Sequence, residues 1–268
     1  MTKKNRFKLR QPFKILLPIA VWVLVWQIAA LIVNKALLIP GPADVFIRLK
    51  ELAVTAMFWK TAGMTLLRIL IGLVIGTAAG CALAVLTKCF AIADTILSPA
   101  IRLVRATPVA SFIILILLWF AKSKVPAVVS CLVVIPIVWE NVCAGISGTD
   151  PLLLEMAHAY SFGRLKTWRY IYIPSIKPFL LSGVSNALGL AWKSGVAAEV
   201  LCSPKLAIGT QIYNSKLYLE TAELFAWTII VIILSMIFEK ILKGLITGEL
   251  FRGFRKTVPP EESAGVPK

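Results

Sequence analysis

The chain is poor in acid, in histidine and in the short motifs that mark reactive sites. Asp and Glu together number 13 against 29 Lys and Arg, a formal charge of +16. A nucleic-acid-binding domain gathers its basic residues on one face; here they are scattered between apolar segments, which speaks against that class. The single histidine, His158, has no His or Cys partner, so it reads as a polar contact or a solvated side chain rather than a catalyst or metal ligand. Five cysteines (Cys81, Cys89, Cys131, Cys143 and Cys202) lie in or beside apolar stretches and form no Cys-x-x-Cys pair. A disulfide framework or a zinc site has no support, and the thiols read as small helix-packing residues. There is no Gly-x-x-x-x-Gly-Lys-Ser/Thr loop. Trp192-Lys193-Ser194 offers a Lys-Ser pair, but it lies behind a tryptophan in an apolar span, where no phosphate cradle forms. The chain cannot hydrolyse ATP by itself. No His/Asp/Glu or Ser/Lys constellation supports an enzyme, and no internal repeat, low-complexity tract or second domain is visible.

What is there is apolar surface. Hydrophobic residues make up 59% of the 268, and the mean hydropathy is +0.85. That is more than a soluble domain of this length needs, so the chain reads as an all-α polytopic membrane protein. A span needs about 20 apolar residues. Suitable runs are 15–33, 64–86, 97–120 (interrupted at Arg105-Ala106-Thr107-Pro108), 126–146, 179–201 and 225–246, about six spans. The Pro40-Gly41-Pro42 break precedes an amphipathic segment at 43–60, expected outside, and 203–224 is expected as an external loop. Segments placed inside hold 19 Lys and Arg and those placed outside hold eight, which puts both termini in the cytoplasm. The expected organisation is a basic N-terminus at 1–14, one transmembrane domain at 15–247, and a disordered cytoplasmic tail at 248–268.

One polar interval stands out between apolar runs, residues 150–178, also on the inner side. Asp150 is a predicted N-cap, with Pro151 at the first helical position. Leu153, Leu154, Ala157 and Tyr160 follow at helical spacing. Ser161-Phe162-Gly163 reads as a breaker in which the glycine can take a left-handed conformation. A second short helix, 165–173, is expected to stop at Pro174. Arg164, Lys166 and Arg169 can meet a protein surface or anionic lipid headgroups.

Glu155-Met156-Ala157, the following glycine and Ile171-Tyr172-Ile173-Pro174 resemble the "EAA" loop of ABC importer permeases. Met156 replaces an alanine, Ser161 stands where the family usually has glycine, and Gly163 comes two residues late. Arg105-x-x-Pro108, with its apolar run ending in Trp119-Phe120, is similar to sulfonate and nitrate permeases, and the chain as a whole resembles the nitrate, sulfonate and taurine type. The resemblance covers about Pro40 to Leu245. It implies a type I importer permease fold in the bacterial inner membrane, with a loop of ATPase-coupling residues: Glu155, Ala157, Ser161, Gly163 and Pro174. It further implies a permease homodimer, cytoplasmic ATPase subunits that bind ATP and magnesium, and an external solute-binding protein. No cofactor or metal is expected on this chain, and the solute is expected to be a small anion such as nitrate, sulfonate or taurine. An ion-coupled secondary transporter or channel is the alternative, but it gives the loop no task and ordinarily shows paired repeats.

Three charges fall within spans, Glu140, Lys193 and Glu199. Such charges face a bundle interior, a wet cavity or each other, so all three are candidates for the translocation path. Lys193 and Glu199 are six residues apart and point to different sides of one helix. Glu199 is then expected either to pair with another helix or to lie near the outer interface. A lysine in the cavity favours an anion. Gly72, Gly76 and Gly80 form a small-residue stripe suited to close helix packing, and Arg68 is expected to snorkel to the outer interface.

Overall fold

In the computed structural model, residues 5–35 and 37–254 are described, and every regular element among them is helical. The helices are α1 (Asn5–Val33), α2 (Pro42–Val54), α3 (Ala56–Cys89), α4 (Ala91–Ala106), α5 (Val109–Ile116), α6 (Val125–Ser147), α7 (Pro151–Ala159), α8 (Arg164–Thr167), α9 (Ile173–Cys202), α10 (Ile208–Leu217) and α11 (Thr221–Phe254). By length and composition, α3, α6 and the Thr221–Gly244 part of α11 can each cross a membrane. A fourth span results if α4 and α5, bent by 105° at Thr107-Pro108, count as one. Thr107 is extended, as a residue before proline must be, and that opens the bend. Among the described residues the measure therefore gives three or four spans against about six from the sequence. In α1 the described apolar stretch, Leu17–Val33, is shorter, and α9 carries Lys177, Lys193 and Glu199.

Several expected boundaries move. The amphipathic segment ends at Thr55, so Lys60 already belongs to α3. Only Phe90 separates α3 from α4. The expected external loop at 203–224 holds α10. The first helix starts inside the basic N-terminal segment, at Asn5, and α11 runs to Phe254, so residues 248–254 are helical. The rest of the expected disordered tail, 255–268, lies outside the described residues, as do residues 1–4.

The largest correction concerns Pro174. It does not stop the helix. Residues Trp168–Tyr172 form a π-turn between α8 and α9, with the Ile173 N–H bonded to the Trp168 carbonyl. A proline ring clashes with the carbonyl four residues back. Opening the ladder by one residue relieves that clash, a known use of a π-bulge. The result is one helical rod from Arg164 to Cys202, with Pro174 and Pro178 inside it.

The chain divides into two compact units. The first comprises residues 1–65 and 199–232. Its α1 and α11 meet through the stacked rings of Trp26 and Phe225, 5.7 Å apart, and α3 and α11 through Phe58 and Trp227, 5.5 Å apart. Arg48 of α2 bonds Glu223 at 2.6 Å and Glu51 at 2.8 Å. The Glu51 and Glu223 carboxylates hold the Arg48 guanidinium above its ordinary range. The arginine keeps its charge throughout the neutral range, so this clamp does not switch near neutrality.

The second unit comprises residues 66–198 and 233–268. Here α6 is the central helix. Gly72, Gly76 and Gly80 of α3 lie against it so closely that a Cβ on Gly76 would sit 2.8 Å from the Cys131 carbonyl oxygen and from Val134 Cβ. On Gly80 it would lie 2.9 Å from Val138 Cβ, and on Gly72 it would meet the Ala127 carbonyl. The other side of α6 receives α9: Ser130 Oγ donates to the Ala191 carbonyl at 3.1 Å, and a Cβ on Gly183 would meet Asn141 Cβ at 2.8 Å. In lipid, helices associate through such packing, since apolar burial gives no gain there. Arg68 is 7% exposed, buried in α3 and not snorkelled to an interface.

Candidate functional site

The elbow between α6 and α9 is built from local chemistry. Asp150 caps α7, its carboxylate accepting from the Leu152 N–H at 2.9 Å, with Pro151 at the first position. At the other end the Phe162 N–H bonds the Ala157 carbonyl at 2.8 Å and the Ser161 N–H bonds the His158 carbonyl at 3.0 Å. These two bonds form a Schellman motif, which needs a left-handed residue at its centre. That residue is Ser161, with φ 51°. Gly163 is extended, at φ −67° and ψ 158°, and starts α8. Sequence alone assigns the left-handed turn to Gly163; the turn falls instead on Ser161, because the last carbonyls of α7 fix its place.

Two residues anchor the elbow inward, Ala157 and Ile171, both buried. Its large apolar side chains point outward: Leu152 is 70% exposed, Tyr160 74% and Leu165 84%. Around them stand exposed Glu155, His158, Arg164, Lys166 and Arg169. Of the residues that the resemblance assigns to coupling, Glu155, Ser161 and Gly163 are exposed on the elbow, Ala157 is buried beneath it, and Pro174 is exposed on the helix that follows. The elbow's groups suit docking and not bond making: the side chains are apolar anchors, isolated charges and a solvated imidazole. Sequence reasoning missed Leu152, Tyr160 and Leu165 as protruding anchors.

The three intramembrane charges have different surroundings. Glu140 of α6 pairs with Arg105 of α4, beside a cavity of about 320 Å³ lined also by Arg102, Trp139 and Cys143. Glu199 is fully buried in the first unit. Its carboxylate accepts from Thr65 Oγ1 at 2.9 Å and from the Gly209 N–H at 3.2 Å. Thr65 Oγ1 in turn accepts from the Ile208 N–H at 3.1 Å. A carboxylate and a hydroxyl thereby satisfy the first amides of α10, whose positive dipole end suits a negative charge. Of the two expectations for Glu199, the structure gives pairing with another helix. Lys193 is exposed on α9, on the face away from α6.

The family described as "Binding-protein-dependent transport system inner membrane component" matches residues 69–247. The chain is 27% identical over 219 residues to the aliphatic sulfonates transport permease protein SsuC of Bacillus subtilis, covering 81% of this chain and 78% of the relative. It is 23% identical to the taurine transport system permease protein TauC of Escherichia coli, covering 85% and 83%. The nitrate import permease protein NrtB of Leptolyngbya laminosa is 26% identical over a shorter region, 54% of this chain and 52% of the relative. Among solved structures, an amino acid ABC transporter crystallised with histidines shares the fold, with TM-score 0.62 at 19% identity, over 76% of this chain and 97% of that one.

Proposed function

This chain belongs to the binding-protein-dependent transport system inner membrane component family, and from that premise we propose how it works and what it carries. It is the permease subunit of an ABC importer, not an enzyme, and its partners are an ATPase and a solute-binding protein. The ion-coupled alternative is not favoured. In our reading two copies pair in the inner membrane, each with about six spans and both termini in the cytoplasm. ATP and magnesium are held by the ATPase subunits alone. The solute is a small oxyanion of the sulfonate or nitrate type, in line with the printed descriptions of the relatives.

One observation carries the mechanism: the α7–α8 elbow leaves Leu152, Tyr160 and Leu165 exposed, on a polar segment between apolar helices. Burying such side chains on a partner yields about 1.5–3 kcal/mol each. Glu155 and the basic residues around them give the contact its register. The elbow continues into α9 without a break, so closure of the ATPase pair displaces the whole rod. That displacement switches the path between outward and inward access, and no covalent step takes place on this chain.

The test is the double variant Glu155→Arg with Leu152→Asp, expressed with its ATPase. Both residues are exposed, so stability should change by less than about 0.5 kcal/mol per site. Co-purified ATPase should fall at least about tenfold, the loss of roughly 1.4 kcal/mol of contact, and import should stop. Wild-type import by this variant would sink the reading.

A further inference from the structure

The outer face of α9 forms a helical stripe of exposed residues, Ser182, Asn186, Leu190, Lys193 and Ala197. The neighbouring residues Trp192, Ser194 and Gly195 are buried toward the interior of the second unit. Lys193 is the one charge between Lys177 and Glu199. Along the helix it lies about 24 Å from the first and about 9 Å from the second. Among the described residues, no carboxylate or other acceptor bonds its ammonium. Asn186 shares the stripe two turns earlier. Its side-chain amide likewise has no bond to any described residue.

Lipid is a poor environment for both groups. Snorkelling is the usual escape for a lysine, yet geometry works against it here. Every Cα–Cβ bond in a helix tilts toward the N-terminus. In α9 that direction leads back toward Leu190 and Asn186, along the length of the span and away from its nearer end. A lysine close to the C-terminal end of a span is therefore aimed at the middle of the membrane, and water has to meet it there. The amide of Asn186 is too short to reach either interface and needs the same water.

We propose that this stripe faces the aqueous path and that Lys193 is its charge-selecting residue, giving the path a preference for small oxyanions over cations. The inference rests on the permease reading above. With two copies, two ammonium groups face the path, and the rod carries both when the elbow moves.

The test uses the full importer in membranes, with the five native cysteines replaced and Ala197→Cys as a reporter one turn from Lys193. The reporter is treated with an anionic sulfonatoethyl and a cationic trimethylammonioethyl methanethiosulfonate. Each rate is divided by that reagent's rate with free 2-mercaptoethanol. With Lys193 present, the anionic reagent should be favoured about fivefold. Lys193→Gln should remove the preference, and Lys193→Arg should keep it. Leu190→Cys serves as a second reporter if Ala197→Cys fails to assemble. Two results overturn the proposal: reporters inert to both reagents, which means lipid, or a preference unchanged in Lys193→Gln. Co-purified ATPase is measured on the same membranes. Its absence with Lys193 intact overturns the coupling reading and leaves the labelling ratio to judge Lys193 separately.

Discussion

Along the α3–α6 seam, the backbone of one helix touches the other with almost nothing between them. At the α7–α8 elbow, the chain holds its largest side chains away from itself. Both regions lie in the second unit and both are helical. The seam uses Gly72, Gly76 and Gly80, each about 1 kcal/mol worse than alanine in a helix. Close packing with Ala127, Ser130, Val134 and Val138 offsets that cost. The elbow shows the reverse choice. Leu152 and Leu165 are good helix formers left exposed, and no described residue covers them. A seam is complete within one copy; an apolar surface left open on a polar segment is completed by another molecule.

The strongest way to break this contrast is to substitute the seam. Gly76→Leu places a side chain where even a Cβ meets the Cys131 carbonyl at 2.8 Å. The helices must part, and the cost is about 3 kcal/mol or more. Thermal unfolding in detergent should show a large fall in midpoint. Gly63, also in α3, has no neighbour within 4 Å of a built Cβ. Gly63→Ala should be neutral or stabilising by up to about 1 kcal/mol. Equal effects at the two glycines would mean that helix propensity, and not the seam, decides.

A smaller effect is expected at the buried carboxylate of the first unit, which is an interior contact of a different chemistry. Glu199→Ala leaves the Gly209 N–H and the Thr65 hydroxyl without this acceptor, a cost of about 2 kcal/mol. Glu199→Gln keeps an oxygen in place and should recover about half of that. The readout is thermal stability together with protease cleavage at residues 203–207, before α10. If cleavage does not rise in Glu199→Ala, the carboxylate does not hold the start of α10.

These interior contacts are only half legible in the sequence. The glycine stripe is visible because its four-residue period needs nothing but the chain itself, and the cap at Asp150-Pro151 is visible for the same reason. The partner of Glu140 is not, since Arg105 lies 35 residues away and no local pattern links them. Thr65 and Gly209 are likewise hidden, as is α10, whose mixed polarity matches a loop. Pro174 misleads because proline is read as a local stop, whereas one added residue in the helix ladder accommodates it. The span count differs because Lys177, Lys193 and Glu199 lower the mean apolarity of α9, and because the described apolar stretch of α1 is only Leu17–Val33.

The smallest effect is expected at the elbow backbone, and it separates the two regions most cleanly. Ser161 sits at φ 51°, where a Cβ costs about 1–2 kcal/mol against glycine. Its side chain makes no bond in the Schellman turn; the turn's two bonds come from the Ser161 and Phe162 backbone amides. Ser161→Gly should therefore stabilise by about 1 kcal/mol, a rise of a few degrees in unfolding midpoint. Glycine also frees more unfolded states, which trims the gain. Gly163, already extended and with open space around its Cβ, should accept alanine without loss. If Gly163→Ala destabilises and Ser161→Gly does not stabilise, the left-handed residue lies at Gly163 and the elbow is turned differently. Neither variant removes Leu152, Glu155 or Leu165 from the exposed face of the elbow, so both report on backbone strain there alone.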